Sequence, residues 1–159
     1  MDLRSDHRVG RRVVGVATIG TGTPDRLRFW EDMPVGAQNV VGPRTIGDDQ
    51  LDVFLELVGA ASEAGPGHRV PDMFVYSIAA GSVGQTDGYV ALVCVRSASY
   101  EIEGSLHVGE QFFIRTQVVA AEPVDERLGN LEVVRQITSG DDRIVSTARL
   151  NALVLRRGL

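Results

Sequence analysis

The sequence predicts an α+β domain in which one helix is wrapped by a curled antiparallel sheet. Three observations carry that prediction. Leu51, Phe54, Leu55 and Val58 recur at helical spacing. Met73 to Gly81 is apolar nearly all round and rich in small residues, as in a helix buried on most sides. From Tyr89 onward the pattern turns to strand-like runs and alternation, broken by turn residues. With 159 residues the chain fits one domain, expected to span residues 26–159 after a weakly ordered extension over 1–25.

The elements follow in order. Met1 to Arg12 has four arginines, two aspartates and His7 without an apolar period, and reads as a solvated terminus. Val13 to Thr23 reads as a short edge strand ending at Pro24. Phe29 to Gly36 reads as a loop anchored by two aromatics, and Val40 to Ile46 as a strand interrupted by Gly42-Pro43. Asp48 or Asp49 can cap the first helix, whose stripe ends at Gly59, because a carboxylate accepts from free first-turn amides. Ser62 to Pro71, with Gly65-Pro66-Gly67, must be loop. Asp72 then opens the second helix. Tyr89 to Val95 suits a strand covered on both faces, and Ser99 to Glu103 alternates more weakly. Phe112 to Ala121 and Leu131 to Thr138 are strands, and Ser139 to Asp142 is a hairpin turn. Arg143 to Arg157 alternates strictly. Arg143, Val145, Thr147 and Arg149 share one face; Ile144, Ser146, Ala148 and Leu150 share the other.

Composition excludes several function classes. A net charge of -5 argues against a broad nucleic-acid footprint. No stretch reaches the roughly 20 apolar residues of a membrane span, so no membrane partner and a cytoplasmic location are expected. The single cysteine, Cys94, excludes an internal disulfide and reads as an inert core thiol. His7, His68 and His107 are too far apart for a local zinc motif. All 16 basic residues are arginine, which removes Schiff-base and phosphate-loop lysines.

Four segments together resemble the MaoC-like (enoyl hydratase/dehydratase) branch of the hotdog fold, over about Leu27 to Arg157. Phe29-Trp30-Glu31-Asp32-Met33-Pro34-Val35-Gly36 is similar to the family's opening aromatic, acidic and Val-Gly pattern. Arg44-Thr45-Ile46 with the 51–58 helix resembles its first helix. Met73 to Gly81 resembles its long central helix, and Leu106-His107-Val108-Gly109-Glu110 the turn before a long strand. The resemblance implies a dimer with sheets joined edge to edge and a thioester tunnel between protomers. It also implies acyl groups on coenzyme A or an acyl carrier protein, and addition or loss of water beside the thioester carbonyl. An Asp and a His handle the proton and the water, and a backbone amide at the helix start holds the enolate oxygen. No cofactor and no metal are expected.

The site motif departs from that pattern. Where the family reads Gly-Asp-x-Asn-Pro-x-His, this chain reads Gly59-Ala60-Ala61-Ser62-Glu63-Ala64-Gly65, so neither catalytic side chain is present. Pro71-Asp72-Met73 replaces His-Gly-Met, and the segment before the central helix is cut short. Asp72 therefore has two readings, a helix cap or a general acid/base. His68, four residues earlier, is a candidate proton shuttle or a solvated loop histidine. Met73, Tyr76, Ser77 and Glu63 are candidates for substrate binding, and Arg69 or Arg96 for a coenzyme phosphate. His107 reads as surface.

Three functions fit these residues. One is a hydro-lyase with a site rebuilt from His68 and Asp72. The second is a non-catalytic subunit that binds a thioester or partners an active hydratase, as a homodimer or heteromer. The third is a biosynthetic enzyme acting on a bulky polyketide-type intermediate by cyclisation or dehydration.

Overall fold

The sheet has five antiparallel strands in the order β1-β3-β4-β5-β2: β1 Gln38–Arg44, β2 Leu92–Ile102, β3 Phe112–Pro123, β4 Leu128–Ser139 and β5 Ile144–Leu155. The computed structural model describes residues 27–60, 65–81 and 89–158. The expected strand at Val13–Thr23, the 1–25 extension and Glu63 lie outside the described residues.

Side chains alternate across a strand, so one face of β3, β4 and β5 must be covered. Phe112, Ile114 and Val118 of β3 are buried, with Leu131 and Ile137 of β4, and Ala148, Leu150, Ala152 and Val154 of β5. Two groups of residues cover this face. The helix α2, Asp72–Gly81, brings Val75 and Ala79 onto one end, packed with Val41, Ile46, Val70, Phe112, Ile114, Ile137 and Val145. A 3-10 turn at Trp30–Asp32 covers the other end, where Met33, Ala91, Val118, Leu131 and Val154 pack with Phe29 and Trp30.

The opening motif is held by the chain's far end. Glu31 accepts hydrogen bonds from the Arg157 amide (3.0 Å) and Arg156 Nε (3.2 Å), and Asp32 binds Arg157. The Arg157 amide, with Arg156 beside it, holds the Glu31 carboxyl below its ordinary value. Asp32 also accepts from the Phe29 amide, 3.0 Å away, which closes the turn on itself. Trp30 lies flat on Gly129 of β4, where an added Cβ would collide with the indole ring. Its Nε1 donates to the Asn130 carbonyl at 3.2 Å.

Several expectations are corrected. The central helix is short, ten residues or roughly 15 Å. It carries Ala79-Ala80-Gly81 at its end, where glycine is a poor helix former. The first helix, α1 (Asp48–Leu57), is capped by Gly47, whose amide donates to Gln50 Oε1 (3.0 Å); Asp48 and Asp49 sit in its first turn. Of its stripe only Leu51 is buried, Phe54 and Leu55 are half-buried, and Val58 is exposed.

The run before Val95 is not covered on both faces. It belongs to β2, a sheet edge that pairs with β5 alone among the described strands. Leu92, Val93 and Val95 are about half exposed, and Cys94 is exposed, so its thiol is not in the core. The alternation of β5 holds from Ser146 to Val154 but breaks at its start. A register shift against Ile137 and Thr138 leaves Val145 unpaired, so Val145 and Ser146 are both buried while Ile144 is exposed.

The Gly129 contact yields a direct test. Gly129→Ala must displace the rigid indole of Trp30, and overpacking of this kind costs about 1–3 kcal/mol. Denaturant melts should show a lowered midpoint with unchanged slope. An unchanged midpoint would mean that the indole does not rest on the strand.

Candidate functional site

Between the two ends that α2 and the 3-10 turn cover lies a cavity of about 300 Å³. That size is at the small end for ligand sites. Its floor is the inward face of the sheet: Thr116 and Val118 of β3, Leu131, Val133 and Arg135 of β4, and Leu150, Ala152 and Val154 of β5. Tyr76 and Ala80 of α2 form one wall, Leu92 and Val95 of β2 another, and Gln38, Asn39 and Val41 of β1 a third.

Arg135 is the charged residue of a floor made otherwise of Thr116 and apolar side chains. Leu131, Val133, Arg135 and Ile137 occupy alternate positions of one strand, which puts the guanidinium on the covered face. Arg135 is 6% exposed. Its Nε donates to Thr116 Oγ1 at 3.3 Å and its Nη1 to the Ala79 carbonyl at 3.2 Å. Thr116 and Ala148 flank it in register on the neighbouring strands. Burial pushes the guanidinium below its ordinary pKa, which the nearby Tyr76 partly offsets.

A second group of polar residues gathers at the start of α2. Asp72 is the first helical residue, not the cap. The carbonyl of Pro71 takes the capping position and accepts from the amides of Phe74 (2.9 Å) and Val75 (3.2 Å). The Asp72 carboxylate instead accepts two hydrogen bonds from Arg69 Nη2, at 2.9 and 3.1 Å. Among the described residues, the amides of Asp72 and Met73 donate to no hydrogen bond, as expected for the first turn of a helix. Tyr100 of β2 reaches back toward the Asp72 carbonyl (3.4 Å) and meets Tyr76 edge-on at 5.0 Å between centroids. Burial raises the Tyr100 phenol above its ordinary pKa, and the Asp72 carboxylate adds to the rise.

Of the residues singled out from sequence, Tyr76 lines the cavity, whereas Asp72, His68, Met73 and Ser77 do not. His68 is exposed on the loop before α2, and its carbonyl accepts from the Val108 amide (2.9 Å). Met73 is 60% exposed, and the Ser77 hydroxyl donates to the Met73 carbonyl at 2.8 Å. Arg69 is engaged by Asp72, and Arg96 is exposed on the edge strand. His107 is exposed beside Glu110, 3.4 Å away. No group of three metal-ligating side chains occurs among the described residues.

No protein-family model matches the chain, and no curated protein matches it by sequence. Solved structures do match in three dimensions. A MaoC-like dehydratase from Rhodospirillum rubrum superposes with a TM-score of 0.66 at 15% identity, covering 83% of this chain and 99% of its own. The chain has the hotdog fold. The (R)-hydratase PhaJ1 of Pseudomonas aeruginosa gives 0.64 at 9% identity, covering 81% of this chain and 86% of its own. A protein from Archaeoglobus fulgius described as a monoamine oxidase regulatory protein gives 0.71 at 18%, covering 85% and 99%.

In this hotdog frame α2 is the central helix, and the cavity runs beside its second half. The residue that sequence reasoning missed is Arg135. The signal was available: an arginine in the inward register of an otherwise apolar strand is costly unless it is used or paired.

Tyr100 offers a check on the electrostatics at the start of α2. In a Tyr76→Phe, Tyr89→Phe background the remaining phenol should ionise above the ordinary tyrosine value by ultraviolet difference titration. Adding Asp72→Asn removes a negative charge, so the midpoint should fall. A midpoint that rises or stays fixed would place the carboxylate away from the phenol.

Proposed function

We propose that the chain is a hydro-lyase of acyl thioesters, adding or removing water next to the thioester carbonyl. The observation that carries the reading is the pair of amides at Asp72 and Met73, which have no acceptor among the described residues and lie one helical turn from Tyr76 on the cavity wall. Two N–H groups at a helix start can hold an enolate oxygen whatever side chains accompany them. An acyl chain lying along α2 would then place its carbonyl at those amides and its tail in the cavity. The dehydratase and hydratase among the structural neighbours support the same reaction class.

The proton and the water are assigned to Asp72, the first residue of α2, and to His68, four residues before it. In the hydration direction one accepts a proton from water as oxygen attacks the β-carbon. The other delivers a proton to the α-carbon as the enolate collapses. Asp72 works from its ion pair with Arg69, which fixes the carboxylate in orientation. Met73, Tyr76, Ser77 and Glu63 are proposed to contact the substrate. A second reading, a non-catalytic thioester-binding subunit, is favoured by the exposure of His68 and by the engagement of Asp72 with Arg69.

Assays of hydration and dehydration on short and long enoyl and 3-hydroxyacyl thioesters test these readings. Asp72→Asn and His68→Ala should each lower turnover at least a hundredfold. Turnover unchanged by both would remove these residues from the reaction while leaving it a lyase. No turnover on any thioester would favour the binding subunit.

The working unit is proposed to be a dimer joined through β2. Eleven residues of edge strand carry Leu92, Val93, Val95 and Ile102 about half exposed, and an apolar edge of that length templates pairing. Light scattering should give twice the chain mass for the parent and the monomer mass for Val93→Lys. A parent that is monomeric throughout would overturn the pairing.

A further inference from the structure

We infer that the cavity beside α2 receives an apolar ligand bearing a carboxylate, and that Arg135 binds this anionic head. The inference asks only for an anion in the cavity and stands apart from the proposed reaction. Arg135 is buried, with 6% of its surface exposed. Both of its hydrogen bonds go to neutral acceptors, Thr116 Oγ1 and the Ala79 carbonyl. Among the described residues no carboxylate pairs with it, and its Nη2 donates to nothing. Two of five N–H groups are therefore used, on a side chain that lines the cavity.

A purely structural role explains this poorly. Taking a cation out of water without a counter-ion is costly, and an apolar side chain of similar volume would fill the same strand position without that cost. Capping the last carbonyls of α2 accounts for Nη1 alone. What remains is a planar fork beside an apolar chamber, suited to a carboxylate that accepts in parallel. Across the strand, Ala148 presents only a methyl group in register with Arg135. The surrounding Val118, Leu131, Val133, Leu150 and Val154 would hold the aliphatic or aromatic body. A singly charged carboxylate also suits an apolar chamber better than a phosphate dianion, whose desolvation is costlier.

The same chemistry has two sources, a free carboxylic acid or the far end of a dicarboxylic acyl thioester. Ala79 lies seven residues beyond Asp72, or roughly 10 Å along the helix, so one ligand can reach both ends. Calorimetric titration of the full chain with octanoate and with octan-1-ol tests the anion requirement without any variant. Octanoate should bind at least tenfold more tightly. In Arg135→Met the two should bind equally; should that variant fail to fold, Arg135→Lys keeps the charge, loses the fork and should narrow the preference. Equal binding by the parent would overturn the inference, as would an octanoate preference that survives in Arg135→Met. Titration with suberoyl- and octanoyl-coenzyme A then separates the sources. An Arg135-dependent preference for the suberoyl thioester supports a dicarboxylic acyl ligand, and a preference confined to free octanoate supports a free acid. Neither result depends on turnover, so failure here and failure of the lyase reading are distinguishable.

Discussion

The covered face of β3, β4 and β5 is the constraint on which the rest of the molecule depends. Alternation commits every second residue of three twelve-residue strands to one side, and those side chains need cover. A ten-residue helix cannot span them. The 3-10 turn at Trp30–Asp32 therefore seals the opposite end, anchored by Glu31 and Asp32 to Arg156 and Arg157. The space between the two covers is the cavity. Its position follows from the mismatch between the length of the strands and the length of the helix.

Charge is distributed unevenly around that space. At the start of α2, Asp72 and Arg69 neutralise each other at a partly exposed site, where an ion pair contributes little to stability. On the cavity floor, Arg135 is buried among apolar side chains without an opposite charge among the described residues. Among the described residues the two ends of one helix thus present different chemistry: amides without an acceptor and a compensated carboxylate at one, a guanidinium without an opposite charge at the other. Tyr76 and Tyr100, packed edge to face, stand between them.

Much of the architecture was legible in the sequence because the strands after Phe112 alternate cleanly and are bounded by turn residues. The resemblance to hotdog proteins rested on segments that the structure does bring together, such as the aromatic opening motif packed on the sheet. The differences have physical causes. A continuous apolar run reads the same whether a strand is buried or stands at an edge awaiting a partner, so β2 and Cys94 were expected inside. Asp72 has the residue type of a cap, but Pro71 already supplies the capping carbonyl. Attention to loop residues that resemble lost catalytic groups passed over Arg135, whose significance lies in strand register and not in any motif.

The order of the strands in the sheet has a consequence for folding. β3, β4 and β5 follow one another through tight connections, so their pairings close short loops. The edges are different: β1 joins β3 across more than sixty residues of chain, and β2 joins β5 across about forty. A central three-stranded meander can thus form early, while the walls that complete the cavity arrive from distant parts of the chain. Among the described strands β1 has a neighbour on one side only, so this wall opens at lower free energy than the meander does. Fraying of that wall would leave the floor that carries Arg135 intact.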